Sequence, residues 1–206
     1  HGSEAGSFRT DCDAISTFPW KETFETYPSG NFVDPCWSNI HTAGSSTTKV
    51  FTVETAVGSS SATHILQLPD QQSGNIVELT LPTMIIPEDS AYEFMLDMYR
   101  DDNSSYQMDN YANEGLRIIA DNGSVRDTLA FVPRGCMVTN ETVAATNKAG
   151  WFTYTFVIPH SGSVSIIIEG VSQYGQPTYA DNFAVRQIPT CFPGTDIHII
   201  DSLITT

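Results

Sequence analysis

The densest set of groups able to do chemistry lies in one segment, Arg100–Gly115, which reads RDDNSSYQMDNYANEG. It holds the carboxylates Asp101, Asp102, Asp109 and Glu114, the phenols Tyr106 and Tyr111, and the amides of Asn103, Asn110 and Asn113. Two opposed carboxylates are what a glycosidase needs, one to protonate the leaving oxygen and one to attack or to activate water. Membership of one loop does not set the separation such a pair requires, so the acids read as a solvated loop. The segment is also not an EF-hand. Counted from Asp101, the sixth position is Tyr106 where the turn needs Gly, and the twelfth is Ala112 where calcium needs a bidentate Glu. Aromatic faces beside amides and carboxylates do suit the recognition of a sugar ring. Tyr99, Asp101, Tyr106, Asp109, Tyr111 and Asn113 are therefore the candidate ligand-binding residues, with Tyr174 and Tyr179 near other loops. The tryptophans Trp20, Trp37 and Trp151 are expected in the core rather than on a binding platform.

Other reaction chemistries lack their residues. No Gly-x-Ser-x-Gly elbow occurs. The five histidines are scattered with no HExxH pair, no glycine-rich phosphate loop is present, and the four cysteines form no CxxC. A non-enzyme is expected. Nine basic against 24 acidic residues leave a net charge of −15. That speaks against a nucleic-acid partner, which needs clustered Lys and Arg to neutralise phosphate. No apolar run approaches the roughly 20 residues of a membrane helix, so no membrane insertion is expected. The acidity serves solubility, or a cation site where a few carboxylates meet.

A framework of strands must position these groups. Period-2 alternation dominates the chain. In Trp151–Ile158, Phe152, Tyr154, Phe156 and Ile158 share one face, and Trp151, Thr153, Thr155 and Val157 the other. Tyr92–Tyr99 alternates in the same way. Further strands are predicted at Glu22–Thr26, Lys49–Glu54, His64–Leu68, Ile76–Leu81, Leu116–Ala120, Thr128–Val132, Val164–Glu169 and Asn182–Gln187. Turn-rich segments separate them and no helical period intervenes. The expectation is an all-β fold, an antiparallel two-sheet β-sandwich of the jelly-roll kind. Residues 1–17 read as a lead-in, 18–188 as the sandwich, and 189–206 as a linker and the start of a following module.

Two separated segments carry a family pattern. The first is CDAISTFPWKETFE, Cys12–Glu25, followed by Pro35-Cys36-Trp37; the second is WFTYTFVIP, Trp151–Pro159, followed by YADNFAV, Tyr179–Val185. Between them lie LQLP, ELTLP and YEFMLDMYR. This order resembles the cleaved-adhesin and MAM-like jelly-roll domains of modular surface or secreted proteins of Bacteroidetes, including the adhesin regions of gingipains. The tail PTCFPGTDIHI resembles the first strand of a fibronectin type III module. The resemblance implies a non-catalytic cell-adhesion or carbohydrate-binding domain, secreted or at the cell surface, with other modules of the same chain as neighbours.

It also implies a structural calcium ion. By position the ligands would be Glu25 on the first strand and Asp181 on the last, with Asn182 where the family has a second Asp. First and last strands of a jelly roll lie side by side, so distant carboxylates can meet there. If Glu25 lies near Asp181, the chain reaches Cys12 in one direction and Cys191 in the other, and a Cys12–Cys191 disulfide is the expected bridge. Cys36 and Cys136 would then pair or remain thiols.

Three functions fit: a module recognising a glycan or a host-surface protein; a structural spacer or protein-interaction domain; and a glycan-active enzyme with an unrecognised carboxylate pair.

Overall fold

The computed structural model describes residues 12–45, 49–57, 62–69, 73–100, 114–134, 150–173 and 176–189. Among these the chain forms thirteen strands and no helix. They are β1 (Trp20–Glu22), β2 (Gly30–Asn31), β3 (Ser38–Ala43), β4 (Thr52–Thr55), β5 (His64–Leu68), β6 (Ile76–Thr80) and β7 (Met84–Ile86), then β8 (Tyr92–Arg100), β9 (Gly115–Asp121), β10 (Arg126–Pro133), β11 (Gly150–Ile158), β12 (Gly162–Val171) and β13 (Thr178–Gln187).

Two antiparallel sheets form the sandwich. The seven-stranded sheet runs β11-β8-β13-β5-β4-β2, with β1 also on β13. The six-stranded sheet runs β10-β9-β12-β6-β3, with β7 also on β12. Alternation decides what fills the space between. Phe94, Leu96 and Met98 of β8 meet Val164, Ile166 and Ile168 of β12 in one core, with Phe24, Phe51 and Phe183 fully enclosed. Gly170 lies where an added Cβ would come within 2.7 Å of the Leu68 side chain, so the sheets approach there without room for a methyl.

First and last strands do lie side by side, with Trp20 opposite Val185 and Glu22 opposite Phe183. The predicted strand Glu22–Thr26 is displaced, however. The chain leaves the sheet at Thr23, because the Glu22 carboxylate accepts from the Thr23 and Phe24 amides at 2.8 and 2.6 Å. Phe24 takes a left-handed backbone (φ 58°) and turns into the core. The short strands β2, β3 and β7 had no clear alternation to announce them.

The expected Cys12–Cys191 bridge is not formed: Cys12 is bonded to Cys36, with Cα atoms 5.4 Å apart. The reason lies in the residues before Phe18. Ile15 pairs with Met84 in parallel, donating to Thr83 O at 2.9 Å and accepting from Ile85 N at 2.8 Å. That pairing carries the chain onto β7 of the six-stranded sheet. Cys36 sits in the turn entering β3 of the same sheet, where its amide donates to Asp34 Oδ1 at 2.7 Å. Cys136 and Cys191 lie outside the described residues.

Candidate functional site

Strand register brings side chains from distant parts of the chain into rows. Tyr179 on β13 lies opposite Tyr99 on β8. Tyr99 lies opposite Trp151 on β11. On the other side Tyr179 faces Gln67 of β5, and Gln67 faces Thr52 of β4. The neighbouring positions Met98, Ala180 and Leu66 point into the core, so this whole row faces outward. The rings touch, with centroids 5.5 Å apart for Tyr99 and Trp151 and 6.2 Å for Tyr99 and Tyr179. Thr52 Oγ1 donates to Gln67 Oε1 at 3.1 Å. Aromatic faces at one end and an amide at the other make a half-exposed strip across five strands. Trp151 thus stands on the outer face, against the expectation of a core tryptophan. Trp20 and Trp37 do pack against the core.

One row further along lie Thr153, Asp97 and Asp181. A bulge follows Asp181, so that Asn182 and Phe183 together oppose Leu96. Asn182 adopts the left-handed region (φ 54°), which Asn tolerates better than most residues. That turn of backbone lets its amide serve the carboxylates. Asn182 N donates to Asp181 Oδ1 at 2.7 Å, and its side-chain nitrogen donates to Asp97 Oδ2 at 2.8 Å and Asp181 Oδ2 at 3.3 Å. Thr153 Oγ1 donates to Asp97 Oδ1 at 2.5 Å.

Asp181 is only 1% exposed although it belongs to the outer face. Residues leaving β4 fold back over this face as far as β11, where Trp151 Nε1 donates to Val57 O at 3.0 Å. Burial pushes the Asp181 carboxyl up to about 6. The Asn182 amide works against that rise, the charges of Asp97 and Glu25 add to it, and Lys21 opposes it weakly. Glu25 itself is turned to the start of β5. Its Oε1 accepts from Thr63 N at 2.8 Å, and its Oε2 lies 3.8 Å from His64 Nδ1. The structure therefore brings the field of Glu25 to Asp181, and it adds Asp97. A buried carboxylate with two like-charged neighbours suits a hard cation. Among the described residues, no three His, Cys, Asp or Glu side chains converge at metal-binding spacing. Any cation here would rely on Asp181 and Asp97 with neutral oxygens completing its shell. Asn182 presents its nitrogen, not its oxygen, to the two carboxylates. Asp97 was missed by sequence reasoning because it sits mid-strand in an alternating run, with nothing but register to place it beside Asp181.

Of the other candidates, Asp101, Tyr106, Asp109, Tyr111 and Asn113 lie outside the described residues. Glu114 is described, and it is withdrawn from any substrate. Its Oε1 accepts from Arg134 Nε at 2.8 Å inside the protein, and its Oε2 accepts from Gln173 N at 3.4 Å.

No family model matches the chain, and no curated protein matches it. Solved structures do. The K1 cleaved adhesin domain of Lys-gingipain from Porphyromonas gingivalis aligns with a TM-score of 0.57 at 13% identity, over 84% of this chain and 100% of that one. TmCBM61, solved in complex with beta-1,4-galactotriose, aligns with a TM-score of 0.50 at 14% identity, over 81% and 94%. A cyclase from Fischerella sp. TAU aligns with a TM-score of 0.51 at 14% identity, over 82% and 95%. At such identity the likeness is one of fold, a sandwich on which both binding and catalysis occur.

Proposed function

We propose that this domain is a non-catalytic binding module whose ligand is a glycan, held across the outer face of the seven-stranded sheet. The observation that carries the reading is the row Trp151–Tyr99–Tyr179–Gln67–Thr52. Rings at one end offer apolar faces to the C–H face of a sugar, and the amide and hydroxyl at the other end offer hydrogen bonds. Tyr99, Trp151 and Tyr179 also stand where β8 ends and β11 and β13 begin. The segment with Asp101, Tyr106, Asp109, Tyr111 and Asn113 follows β8 directly in sequence. The adhesin and TmCBM61 neighbours support a binding role over turnover, as does the enclosure of Glu114 by Arg134.

Calcium belongs to the same reading. Asp181 and Asp97 would hold the ion, with Glu25 contributing its charge, and the ion would add positive charge to three acids that Lys21 offsets only weakly. One row along from the aromatic row, its role would be to tie β8 to β13, with Glu25 beyond the first strand acting through its charge. The Cys12–Cys36 bridge supports an oxidising compartment, so the domain is assigned to a secreted or cell-surface protein. Among the described residues no helix is long and apolar enough to cross a membrane.

The test is a glycan array followed by calorimetry on each hit, with Trp151→Ala and Tyr99→Ala alongside. Losing one stacking ring should weaken binding about tenfold, with the melting temperature little changed. Glycan binding that both variants leave intact would move the site elsewhere. If no glycan binds while a host-surface protein is captured through Trp151, the surface is a protein-interaction face instead.

A further inference from the structure

The opposite sheet carries a groove of its own. On β12, Val164, Ile166 and Ile168 fill the core, so Ser163, Ser165 and Ile167 face outward. Register sets Ser165 opposite Asp121 of β9, and Asp121 opposite Arg126 of β10. Ile167 lies between Ile119 of β9 and Thr80 of β6. Arg126 reaches over the sheet while its side chain stays 47% exposed. Its Nη2 donates to Glu78 Oε1 on β6 at 3.1 Å, and its Nε lies 3.7 Å from Asp121 Oδ2.

That reach has a geometric consequence. β10 and β6 are three strand spacings apart, about 14 Å on a flat sheet. Arg126 and Glu78 therefore reach toward each other across the outward face of β9 and β12. Ile119 and Ile167 lie on that face, 6% and 5% exposed although they point away from the core. Over Ile167 opens a groove of about 390 Å³.

We infer that this groove is a second ligand site, and that it takes a neutral sugar of one or two rings. The lining matches that chemistry at every point. Arg126 can only donate, Glu78 and Asp121 can only accept, and the hydroxyls of Thr80, Ser163 and Ser165 do both. The hydroxyls around a pyranose each donate and accept, so neighbouring hydroxyls can engage an acid and a guanidinium together. Ile167 closes the bottom of the groove beneath these polar groups. Two carboxylates against one guanidinium leave the groove net negative, which disfavours uronic and sialic acids. The volume lies within the roughly 300–1,000 Å³ of small-molecule pockets. The groove and the aromatic row occupy opposite sheets, so either assignment can fail alone.

The test is an amide NMR titration of the intact domain with β-1,4-galactobiose, cellobiose and xylobiose in turn, and with galacturonic acid as the anionic comparison. At least one neutral disaccharide should shift the amides of 121–126 and 163–167. Arg126→Ala should weaken that binding about tenfold. Ser165→Tyr, which keeps strand propensity and fills the groove, should abolish it. Trp151→Ala should leave it unchanged. The assignment is overturned if no neutral disaccharide moves those amides, or if their shifts survive both groove variants. Shifts confined to the amides around Tyr99 and Tyr179 would overturn it too, while supporting the aromatic row. Galacturonic acid binding as tightly as the neutral sugars would refute the charge argument.

Discussion

Arg134 Nε donates to Glu114 Oε1 at 2.8 Å with both side chains almost shut off from water. Arg134 N also donates to Glu114 O at 2.8 Å, so the pair is locked through backbone and side chain together. Glu114 enters β9 and Arg134 leaves β10, and the clamp closes the foot of that hairpin. A buried ion pair is weak evidence of net stability, but removing one partner strands a charge.

Arg134→Met should therefore destabilise the domain by about 3–5 kcal/mol, and adding Glu114→Leu should recover much of that. Urea unfolding of both variants checks it. A single variant as stable as the parent would mean that water reaches the pair.

Stability of the metal-free domain should fall as pH rises from about 4 to about 6. Asp181 has its carboxyl raised from 3.8 to about 6, so in that window the folded state keeps a proton the unfolded state has lost. The sign is that of a destabilising group: no effect below the unfolded value, and the full penalty above the folded one. A pKa difference of about 2 corresponds to about 3 kcal/mol. Asp181→Asn should flatten this slope and raise stability at neutral pH in chelator. An unchanged slope in denaturant melts from pH 4 to 7 would remove Asp181 as its source.

Calcium, if held as proposed, should raise the melting temperature at neutral pH by mass action on the folded state, and Asp97→Asn should abolish the response. Identical melting curves in calcium and in chelator would eliminate the ion from this domain.

The Cys12–Cys36 bridge spans 24 residues, for which chain entropy suggests about 3.5 kcal/mol. Cys36→Ser should lower stability by that order, while non-reducing peptide mapping of the parent yields a Cys12–Cys36 peptide. A Cys12–Cys191 peptide in its place would contradict the path of the chain along β7.

Gly170→Ala should cost about 1–3 kcal/mol by overpacking, since its methyl meets Leu68 and Phe51 at 2.7 to 3.0 Å. Pairing it with Leu68→Val should restore part of the loss. Thermal melts of the two proteins decide this.

Alternation along single strands determined, from the residues alone, that this is a sandwich of antiparallel sheets, with no helix among the described residues. It also determined which side chains of β8 and β11 share a face, because the period-2 pattern is a property of the local backbone. Trp151 was already grouped there with Thr153 and Thr155, but it was expected in the core, and the packing of the sheets put that face outside. The pairing of first and last strands was likewise anticipated from jelly-roll topology, and Trp20 opposite Val185 bears it out. Tertiary structure alone decided the rest. Register across strands, set by bulges and turns far apart in the chain, aligned Trp151, Tyr99, Tyr179 and Gln67, and put Asp97 beside Asp181. The pairing of Ile15 with Met84 redirected the chain and sent Cys12 to Cys36. Neither was legible, because cross-strand neighbours are separated by tens of residues and a one-residue slip exchanges every side chain between the faces.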